Sequence, residues 1–224
     1  METEKIEELR NSVVDAAKSI FSKGLVENNE GNVSIRVGRN EEYLITPTAN
    51  QYDTITEDQI VHMAFDGTPL SSGKLPSSEA KLHTAIFKSR PKVQCVIHTH
   101  STYATILSIV RKSIPIIMEE QIIYLGGSID ISSYGEAHTD DFGEVALKAL
   151  GYKNGAILAN HGVIVCGKSA ANAIKNAELV EKFAKIYWGS LQIGEPHLLI
   201  EENLERFHKM FRQLFANCPK KWLK

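Results

Sequence analysis

The stretch VQCVIHTHST, residues 93–102, joins an apolar run to two histidines one residue apart. The run from Val93 to Ile97 is typical of a buried β-strand. Residues i and i+2 of a strand point to the same face, so the side chains of His98 and His100 project together at the strand's end. Their imidazoles can therefore converge on one cation. Two polar residues at the solvent end of a strand would give the same pattern.

Two residues outside this stretch favour the metal hypothesis. His161 lies in LANHGVIV between two apolar runs, where the following Gly162 is expected to permit a backbone bend. Glu79 follows Pro76 at the predicted start of a helix, and the positive end of a helix favours an ionised carboxylate. That carboxylate can act as an oxygen ligand or as a base. Three imidazoles and one carboxylate suit Zn²⁺ best, with Mn²⁺, Fe²⁺ or Co²⁺ as alternatives.

The other histidines receive no ligand role from the sequence. His83 lies four residues after Glu79 on the same helix face, which makes it a rival ligand. A position on the helix surface or beside the ligands is favoured for it instead. His138 precedes a predicted helix cap, a position that could lie near the cleft, and is given no role. The remaining three lie in ordinary amphipathic contexts and are predicted to be structural: His62, His197 and His208.

The composition is that of an ordinary globular protein. Of the 224 residues, 43% are hydrophobic and 23% charged, and the formal net charge is −2. Such a charge gives no electrostatic basis for binding nucleic acid, and no apolar run approaches the roughly 18 residues of a membrane span. The three cysteines show no disulfide spacing, which favours a reducing compartment. We therefore expect one cytoplasmic domain over residues 1–224, with neither a nucleic-acid nor a membrane partner.

Hydrophobic spacing predicts an α/β protein. Helix spacing occurs near residues 6–20, 102–110, 139–150, 173–191 and 201–215. Strand patterns occur in NVSIRVG, EYLITP, IVHMAFDGTPL and GAILANHGVIVCG, besides the opening stretch. A further helix is predicted after Pro76, with Ser77 or Ser78 as its N-cap. The simplest arrangement is a central, mostly antiparallel sheet with helices packed on its faces.

Three short polar clusters, EGNVSI, TPTAN and LPSSE, lie at predicted turns. Small hydroxyl groups and exposed backbone N–H groups at turns and helix starts bind phosphate oxygens well. Ser77 and Ser78 directly precede Glu79, so a phosphate held there would lie near the predicted metal. Each cluster alone is equally typical of a simple turn or helix cap.

Together these motifs resemble the class II aldolase/adducin family. The segments GNVSIR, LITPT, GKLPSSE, VIHTHS and LANHGVIVCG follow the family's order, and the resemblance covers about residues 9–199. It implies an α/β/α sandwich around a mainly antiparallel sheet, and a homotetramer with active sites between neighbouring subunits. It also implies cleavage of a phosphorylated sugar. The substrate would be a ketose 1-phosphate like L-fuculose phosphate, split through an enediolate into dihydroxyacetone phosphate and a short aldehyde.

The resemblance assigns roles to individual residues. Four residues match the family's metal-binding positions: Glu79, His98, His100 and His161. Glu79 also matches the group that transfers a proton in the aldolases. Five residues match the phosphate-binding positions: Gly31, Asn32, Thr48, Ser77 and Ser78. The residue after Thr48, usually glycine in the aldolases, is Ala49 here, which could alter one backbone contact to the phosphate.

Two departures concern the groups that close the family's site. The fuculose-phosphate aldolases use a tyrosine from the neighbouring subunit as an acid, and alignment from Gly126-Gly127 places Glu120 there, next to Glu119. We expect Glu120 to be a catalytic proton-transfer group, with an exposed acidic turn as the alternative. The C-terminal segment FRQLFANCPKKWLK also contains no tyrosine to match the one that helps to close that site.

The same ligand set is compatible with related reactions. Epimerisation, dehydration and decarboxylation of a sugar phosphate all need a metal-stabilised enediolate or enolate, so the residue types do not separate them from aldol cleavage. A non-catalytic interaction module like the adducin head is a less favoured alternative. Such heads have lost the ligand set, whereas this chain retains it.

Overall fold

The computed structural model describes residues 2–38, 40–49, 51–200 and 204–215. The α-helices described are Glu2–Ser22 (α1), Ala80–Ser89 (α2), Thr102–Ile109 (α3), Asp140–Leu150 (α4), Ala170–Ile193 (α5) and Glu205–Phe215 (α6). The strands are Asn32–Arg36 (β1), Glu42–Ile45 (β2), Val61–Ala64 (β3), Cys95–Thr99 (β4), Gly155–Leu158 (β5) and Gly162–Gly167 (β6). A short 3₁₀ helix covers Glu57–Gln59 and a π-helical turn covers Gln121–Leu125.

The six strands form one sheet in the order β3-β2-β1-β4-β6-β5, and each neighbouring pair is antiparallel. β1 and β4 lie at its centre, and their register places Asn32 opposite His98. β4 also pairs with β6, so that Thr99 lies opposite Val163. The predicted antiparallel sheet is confirmed, and its register brings the end of β4 beside the turn that joins β5 to β6.

Helices cover both faces of the sheet. Side chains of α1, α3 and α5 pack on one face with Val33 and Ile97, whereas those of α2 and α4 pack on the other with Val96. Successive strand residues point to opposite faces, so the apolar runs of β4 and β6 supply both cores. The predicted α/β/α sandwich is therefore confirmed.

The polar face of β1 is buried rather than solvated. Asn32, Ser34 and Arg36 alternate with the apolar residues of this strand, yet none of them is more than 8% exposed. The Arg36 guanidinium donates to the backbone carbonyls of Phe87 and Val93 at 2.5 and 3.0 Å. A buried polar group is tolerated only when hydrogen-bonded, so this face of the sheet is built around polar contacts with α2 and the chain that follows it.

The start of α2 differs from the prediction. Glu79, not Ser77 or Ser78, occupies the N-cap position, and the helix begins at Ala80. Ser77 instead forms the preceding turn: its carbonyl accepts from Ala80 N–H at 3.0 Å, and its hydroxyl accepts from Glu79 N–H at 3.3 Å. The Glu79 side chain makes no capping bond, because it is turned away from the helix toward the histidines.

α6 begins at Glu205, later than predicted, and residues 201–203 at the predicted start lie outside the described residues. Residues 216–224, which include one of the three cysteines and most of the C-terminal segment FRQLFANCPKKWLK, also lie outside them. No helix in the described parts of the chain is both long enough and apolar enough to span a membrane.

Candidate metal centre

Three imidazoles meet at one end of the sheet. His98 lies near the end of β4, His100 follows that strand, and His161 lies in the turn between β5 and β6. One ring nitrogen from each can be chosen so that all three lie within 4.8 Å of one another. A tetrahedral Zn²⁺ with nitrogen ligands at about 2.0–2.1 Å would hold its ligand atoms roughly 3.3 Å apart. The three side chains therefore fit a single cation with small adjustments.

Local backbone geometry places His161 against the end of β4. In the turn, Asn160 adopts the left-handed conformation with φ of 53°. Gly162 was expected to provide the bend, but it does not have a positive φ; a Cβ there would lie 2.2 Å from the Thr99 carbonyl oxygen. Gly162 is therefore needed for close packing of the two strands, while the bend itself falls on Asn160.

His100 is fixed by the helix that follows it. The carboxylate of Glu181 on α5 accepts from the backbone N–H groups of Tyr103 and Ala104, at 2.9 and 3.0 Å. These N–H groups belong to the first turn of α3 and have no partner within the helix. Glu181 thus anchors α3, and with it the short segment that carries His100.

Glu79 completes the predicted donor set. It is 6% exposed; its Oε1 lies 2.7 Å from His161 Nε2, and its Oε2 lies 3.3 Å from His98 Nε2. Burial by itself would raise the pKa of this carboxyl, but the imidazoles of His98 and His161 and the amide of Asn32 outweigh burial and hold the pKa below its ordinary value. Glu79 is accordingly ionised, as a metal ligand must be.

His98 is presented as a neutral ligand. It is fully buried, and burial is the main cause that lowers its pKa to about 3. Its Nδ1 lies 2.8 Å from the Val163 carbonyl oxygen, which can only accept, so Nδ1 carries the hydrogen. The lone pair is then on Nε2, which lies 2.9 Å from Nε2 of His100. A backbone partner that fixes the tautomer in this way is typical of metal-binding histidines.

His83 is not on the helix surface but is fully buried, and Asn32 lies between it and Glu79. The Asn32 amide donates from Nδ2 to Glu79 Oε2 at 2.7 Å, and its Oδ1 is bonded to His83 Nε2. An amide oxygen only accepts, so the hydrogen of His83 lies on Nε2, and its Nδ1 accepts from the Ser34 hydroxyl at 2.5 Å. Burial lowers the pKa of His83 to about 4, so the ring is neutral near neutral pH. Ser34, His83 and Asn32 thus form a directional relay that ends on Glu79.

A cavity of about 260 Å³ opens beside the histidines, and Glu79, His100 and His161 line it. All five predicted phosphate-binding residues line it too: Gly31, Asn32, Thr48, Ser77 and Ser78. The structure therefore brings the predicted phosphate-binding and metal-binding residues to one place, and the cavity is here called the metal cavity. Within this wall, the side-chain oxygen of Asn32 and one of its N–H groups are already engaged by the relay.

Two backbone positions in the wall of the metal cavity are left-handed. Gly31 has φ of 70°, and a Cβ there would lie 2.5 Å from the His98 carbonyl oxygen, so only glycine fits. Ala49 has φ of 55°, a conformation that glycine adopts without cost and alanine does not. The backbone at Ala49 therefore has a shape that a glycine would adopt more easily.

Two residues of the metal cavity received no role from the sequence. His138 lines it, and its Nδ1 donates to the Ser78 carbonyl oxygen at 3.1 Å. Glu30 lines it as well, with Oε2 3.9 Å from His100 Nδ1. Glu30 was visible as the first residue of the EGNVSI cluster. His138 belongs to a loop without periodic pattern, so the sequence allowed a position near the cleft but did not identify its contact with Ser78.

Glu120 is not brought to the metal cavity of its own chain. It is half-buried at the start of the π-helical turn and is absent from the described residues that line the cavity. Its neighbour Glu119 is exposed and lies 3.7 Å from Arg206. A catalytic role for Glu120 therefore requires a second copy of the chain.

The sequence and the fold are both similar to those of known proteins. A family model described as Class II Aldolase and Adducin N-terminal domain matches residues 11–188. The chain is 34% identical to 5-methylthioribulose-1-phosphate/5-deoxyribulose-1-phosphate aldolase of Rhodospirillum rubrum, with 94% of each chain covered. It is also 34% identical to L-fuculose phosphate aldolase of Escherichia coli, over 84% of this chain and 86% of that protein. A solved structure of L-fuculose 1-phosphate aldolase superposes with a TM-score of 0.87 at 29% identity, covering 92% of this chain and 96% of the other.

Proposed function

We propose that this chain is a metal-dependent aldolase that cleaves a ketose 1-phosphate. The chain belongs to the class II aldolase and adducin family, and the proposal starts from that membership. One observation carries the proposal: three convergent imidazoles and an ionised Glu79 adjoin a cavity lined by small hydroxyl side chains. This arrangement suits a substrate that has an anionic end beside a carbonyl group. It is the pairing that a sugar phosphate offers.

The reaction would break the bond between C3 and C4 of the sugar. The hydroxyl proton on C4 leaves as C4 becomes an aldehyde, and C3 takes up a proton to complete dihydroxyacetone phosphate. The relatives named for 5-methylthioribulose 1-phosphate, 5-deoxyribulose 1-phosphate and L-fuculose phosphate support this substrate class.

The phosphate would bind to Gly31, Thr48, Ser77 and Ser78, where backbone N–H and hydroxyl donors are close together. Glu79, His98, His100 and His161 would hold the cation, for which Zn²⁺ is the first choice and Mn²⁺, Fe²⁺ or Co²⁺ are alternatives. When bound, the cation would supply Lewis-acid stabilisation of the negative charge that develops on the oxygens at C2 and C3.

Two carboxylates are proposed to move protons. Glu79 is ionised and adjoins the metal cavity, so it can accept a proton next to the reacting carbons. Glu120 would come from a neighbouring subunit of a homotetramer whose active sites lie between subunits. The proposal also includes a cytoplasmic location, which the buried free thiols of Cys95 and Cys166 support.

The test is product analysis with a panel of ketose 1-phosphates. Purified protein is loaded with Zn²⁺ and products are identified by ¹H and ³¹P NMR, with the His161→Ala variant as the matched blank. Dihydroxyacetone phosphate together with an aldehyde, without loss of water, supports the aldolase. An epimer, a dehydrated diketone or released CO₂ would favour one of the related reactions. A protein that takes up no metal and forms no product would favour the non-catalytic interaction module.

A further inference from the structure

A second cavity adjoins the metal cavity. Its volume is about 310 Å³, and it shares Glu30 and His100 with the metal cavity. Most of its wall comes from the segment that follows α1 and from one side of α3. Four aliphatic side chains contribute to it: Leu25, Val26, Ile106 and Ile109. We call it the aliphatic cavity.

The two cavities differ in polarity. The hydroxyl side chains of Thr48, Ser77 and Ser78 line the metal cavity alone. Two threonines line the aliphatic cavity, but the hydroxyl of one, Thr105, already donates to the Ser101 carbonyl oxygen at 2.9 Å. Ile109, which is 60% exposed, leaves apolar surface open to a ligand. Aliphatic surface beside a cluster of polar side chains is typical of a site whose ligand has one apolar end.

The order of groups along the substrate matches the order of the cavities. This step rests on the proposed function. A ketose 1-phosphate carries its phosphate on C1 and its metal-seeking oxygens on C2 and C3, so C5 is at the far end from the phosphate. Glu30 and His100 line both cavities, so a chain with its phosphate at Ser77 and Ser78 and its oxygens beside the histidines can reach the aliphatic cavity on that side. In that arrangement C5 is the part of the substrate nearest the aliphatic cavity.

We propose that the aliphatic cavity is the subsite for an apolar substituent on C5, such as a methylthio group or the methyl end of a 5-deoxy sugar. A volume of about 310 Å³ is ample for a group of a few non-hydrogen atoms, since one water occupies roughly 30 Å³ in the liquid. Hydrophobic pockets discriminate by about 10- to 200-fold for each small group. The enzyme therefore prefers a C5-apolar ketose 1-phosphate to one with a C5 hydroxyl by about tenfold or more in kcat/KM.

The kinetic test compares 5-methylthioribulose 1-phosphate with ribulose 1-phosphate, in the wild type and two variants. Ile106→Thr places a hydroxyl in the aliphatic cavity. Ile186→Thr is the matched control, because both isoleucines are 37% exposed but Ile186 lies on α5 outside the cavity. The preference for the methylthio substrate is expected to fall about fivefold or more in Ile106→Thr and to stay at the wild-type value in Ile186→Thr.

A binding test is independent of turnover. Isoleucine methyl groups are labelled with ¹³C in the Zn²⁺-loaded protein, and the signals of Ile106 and Ile109 are assigned by their loss in the valine variants. The probes are 5-methylthio-5-deoxyribitol 1-phosphate and ribitol 1-phosphate, which lack the carbonyl and cannot be cleaved. The methylthio probe is expected to shift both signals, and ribitol 1-phosphate is expected to shift them much less.

The outcomes separate this inference from the proposed function. Dihydroxyacetone phosphate formed equally well from both substrates, with no response of the preference to Ile106→Thr, would overturn the subsite and leave the aldolase intact. No product from any substrate would contradict the aldolase, and the methyl shifts would still decide the subsite. Methyl signals that respond to dilution of the protein but not to the methylthio probe would assign the cavity to a contact between copies, which also overturns the proposal.

Discussion

Asn32 and Glu79 are joined by a buried hydrogen bond in which Nδ2 donates to Oε2 at 2.7 Å. A carboxylate only accepts, so the amide nitrogen must face Glu79 and the amide oxygen must face His83. His83 is neutral, and its Nδ1 accepts a hydrogen bond from the Ser34 hydroxyl, so its hydrogen lies on Nε2 and points at the amide oxygen of Asn32. This contact fixes the orientation of the Asn32 amide. The Glu79 carboxylate is therefore held in position by groups that lie outside the predicted set of metal ligands.

Loss of the Asn32 amide is expected to weaken metal binding. Asn32→Leu removes the donor to Glu79, and loss of such an outer partner typically lowers metal affinity by about 10- to 100-fold. Asn176→Leu is the matched control: Asn176 is equally buried and donates to the Cys166 carbonyl oxygen at 2.8 Å, away from the site. Both variants lose stability, but competition with a chromophoric chelator should show weaker Zn²⁺ binding only for Asn32→Leu. Equal affinities in the two variants would contradict the relay.

The metal-free protein is expected to lose stability as the pH falls from about 6.5 to 4.5. Burial lowers the pKa of His83 to about 4 and that of His98 to about 3, from an unfolded value of 6.5. Below pH 6.5 the two histidines bind protons in the unfolded chain but not in the folded chain, so the free energy of unfolding falls with falling pH. Each such proton contributes about 1.4 kcal/mol per pH unit.

The measurement for this pH dependence is urea unfolding in the presence of a chelator across the same interval. His83→Met removes one of the two histidines that cause the pH dependence. The slope of the unfolding free energy against pH is therefore expected to be smaller in this variant by the contribution of one proton, at most about 1.4 kcal/mol per pH unit. A slope that is unchanged in this variant would show that His83 is not held neutral in the folded protein.

Substitution of His161 is expected to abolish metal uptake without unfolding the chain. The His161 side chain is 22% exposed, so His161→Ala leaves only a small gap in the packing. His62→Ala serves as the control, since His62 pairs with Glu42 on neighbouring strands, away from the metal cavity. Metal analysis should find that the metal affinity falls by more than about a hundredfold in His161→Ala and is unchanged in His62→Ala. A loss of this size exceeds the one expected for a residue that only hydrogen-bonds to a metal ligand. Unfolding of His161→Ala, seen by circular dichroism, would instead indicate a structural histidine.

Glu120→Gln is expected to slow turnover without loss of metal. The residue does not line the cavity of its own chain, so its role requires a neighbouring copy. Co-expression of Glu120→Gln with His161→Ala tests this directly, because mixed oligomers contain some sites with an intact histidine set from one copy and an intact Glu120 from the next. Recovery of activity above that of either variant alone supports the shared site. Unchanged kinetics of Glu120→Gln would remove Glu120 from the mechanism.

The parts of the site that follow from local spacing were predictable. His98 and His100 are two residues apart on a strand end, and His161 follows an apolar run, so each could be recognised from its neighbours alone. The antiparallel sheet followed from the strand patterns in the same way, because side-chain alternation is a local property.

The parts that depend on packing between distant segments were not predictable. The alternation of Asn32, Ser34 and Arg36 with apolar residues gave no sign that this polar face lies beneath α2, and for that reason His83 was expected in part at the surface. His138 reaches Ser78 across 60 positions of sequence, a contact that no spacing rule detects. The bend at Asn160 was attributed to Gly162. A glycine in a sequence can indicate either a positive φ or close packing that leaves no room for a Cβ, and the sequence alone does not distinguish the two.

The pairing of β1 with β4 has a consequence for assembly of the protein. Asn32 stands opposite His98, and a slip of the pairing by one position would turn one strand's side chains to the wrong face. A chain with that error could not gather its imidazoles, so the cation would bind only to the correctly paired sheet and would stabilise it by mass action. Uptake of the ion would thus select for molecules in which β1 and β4 are paired in the correct register.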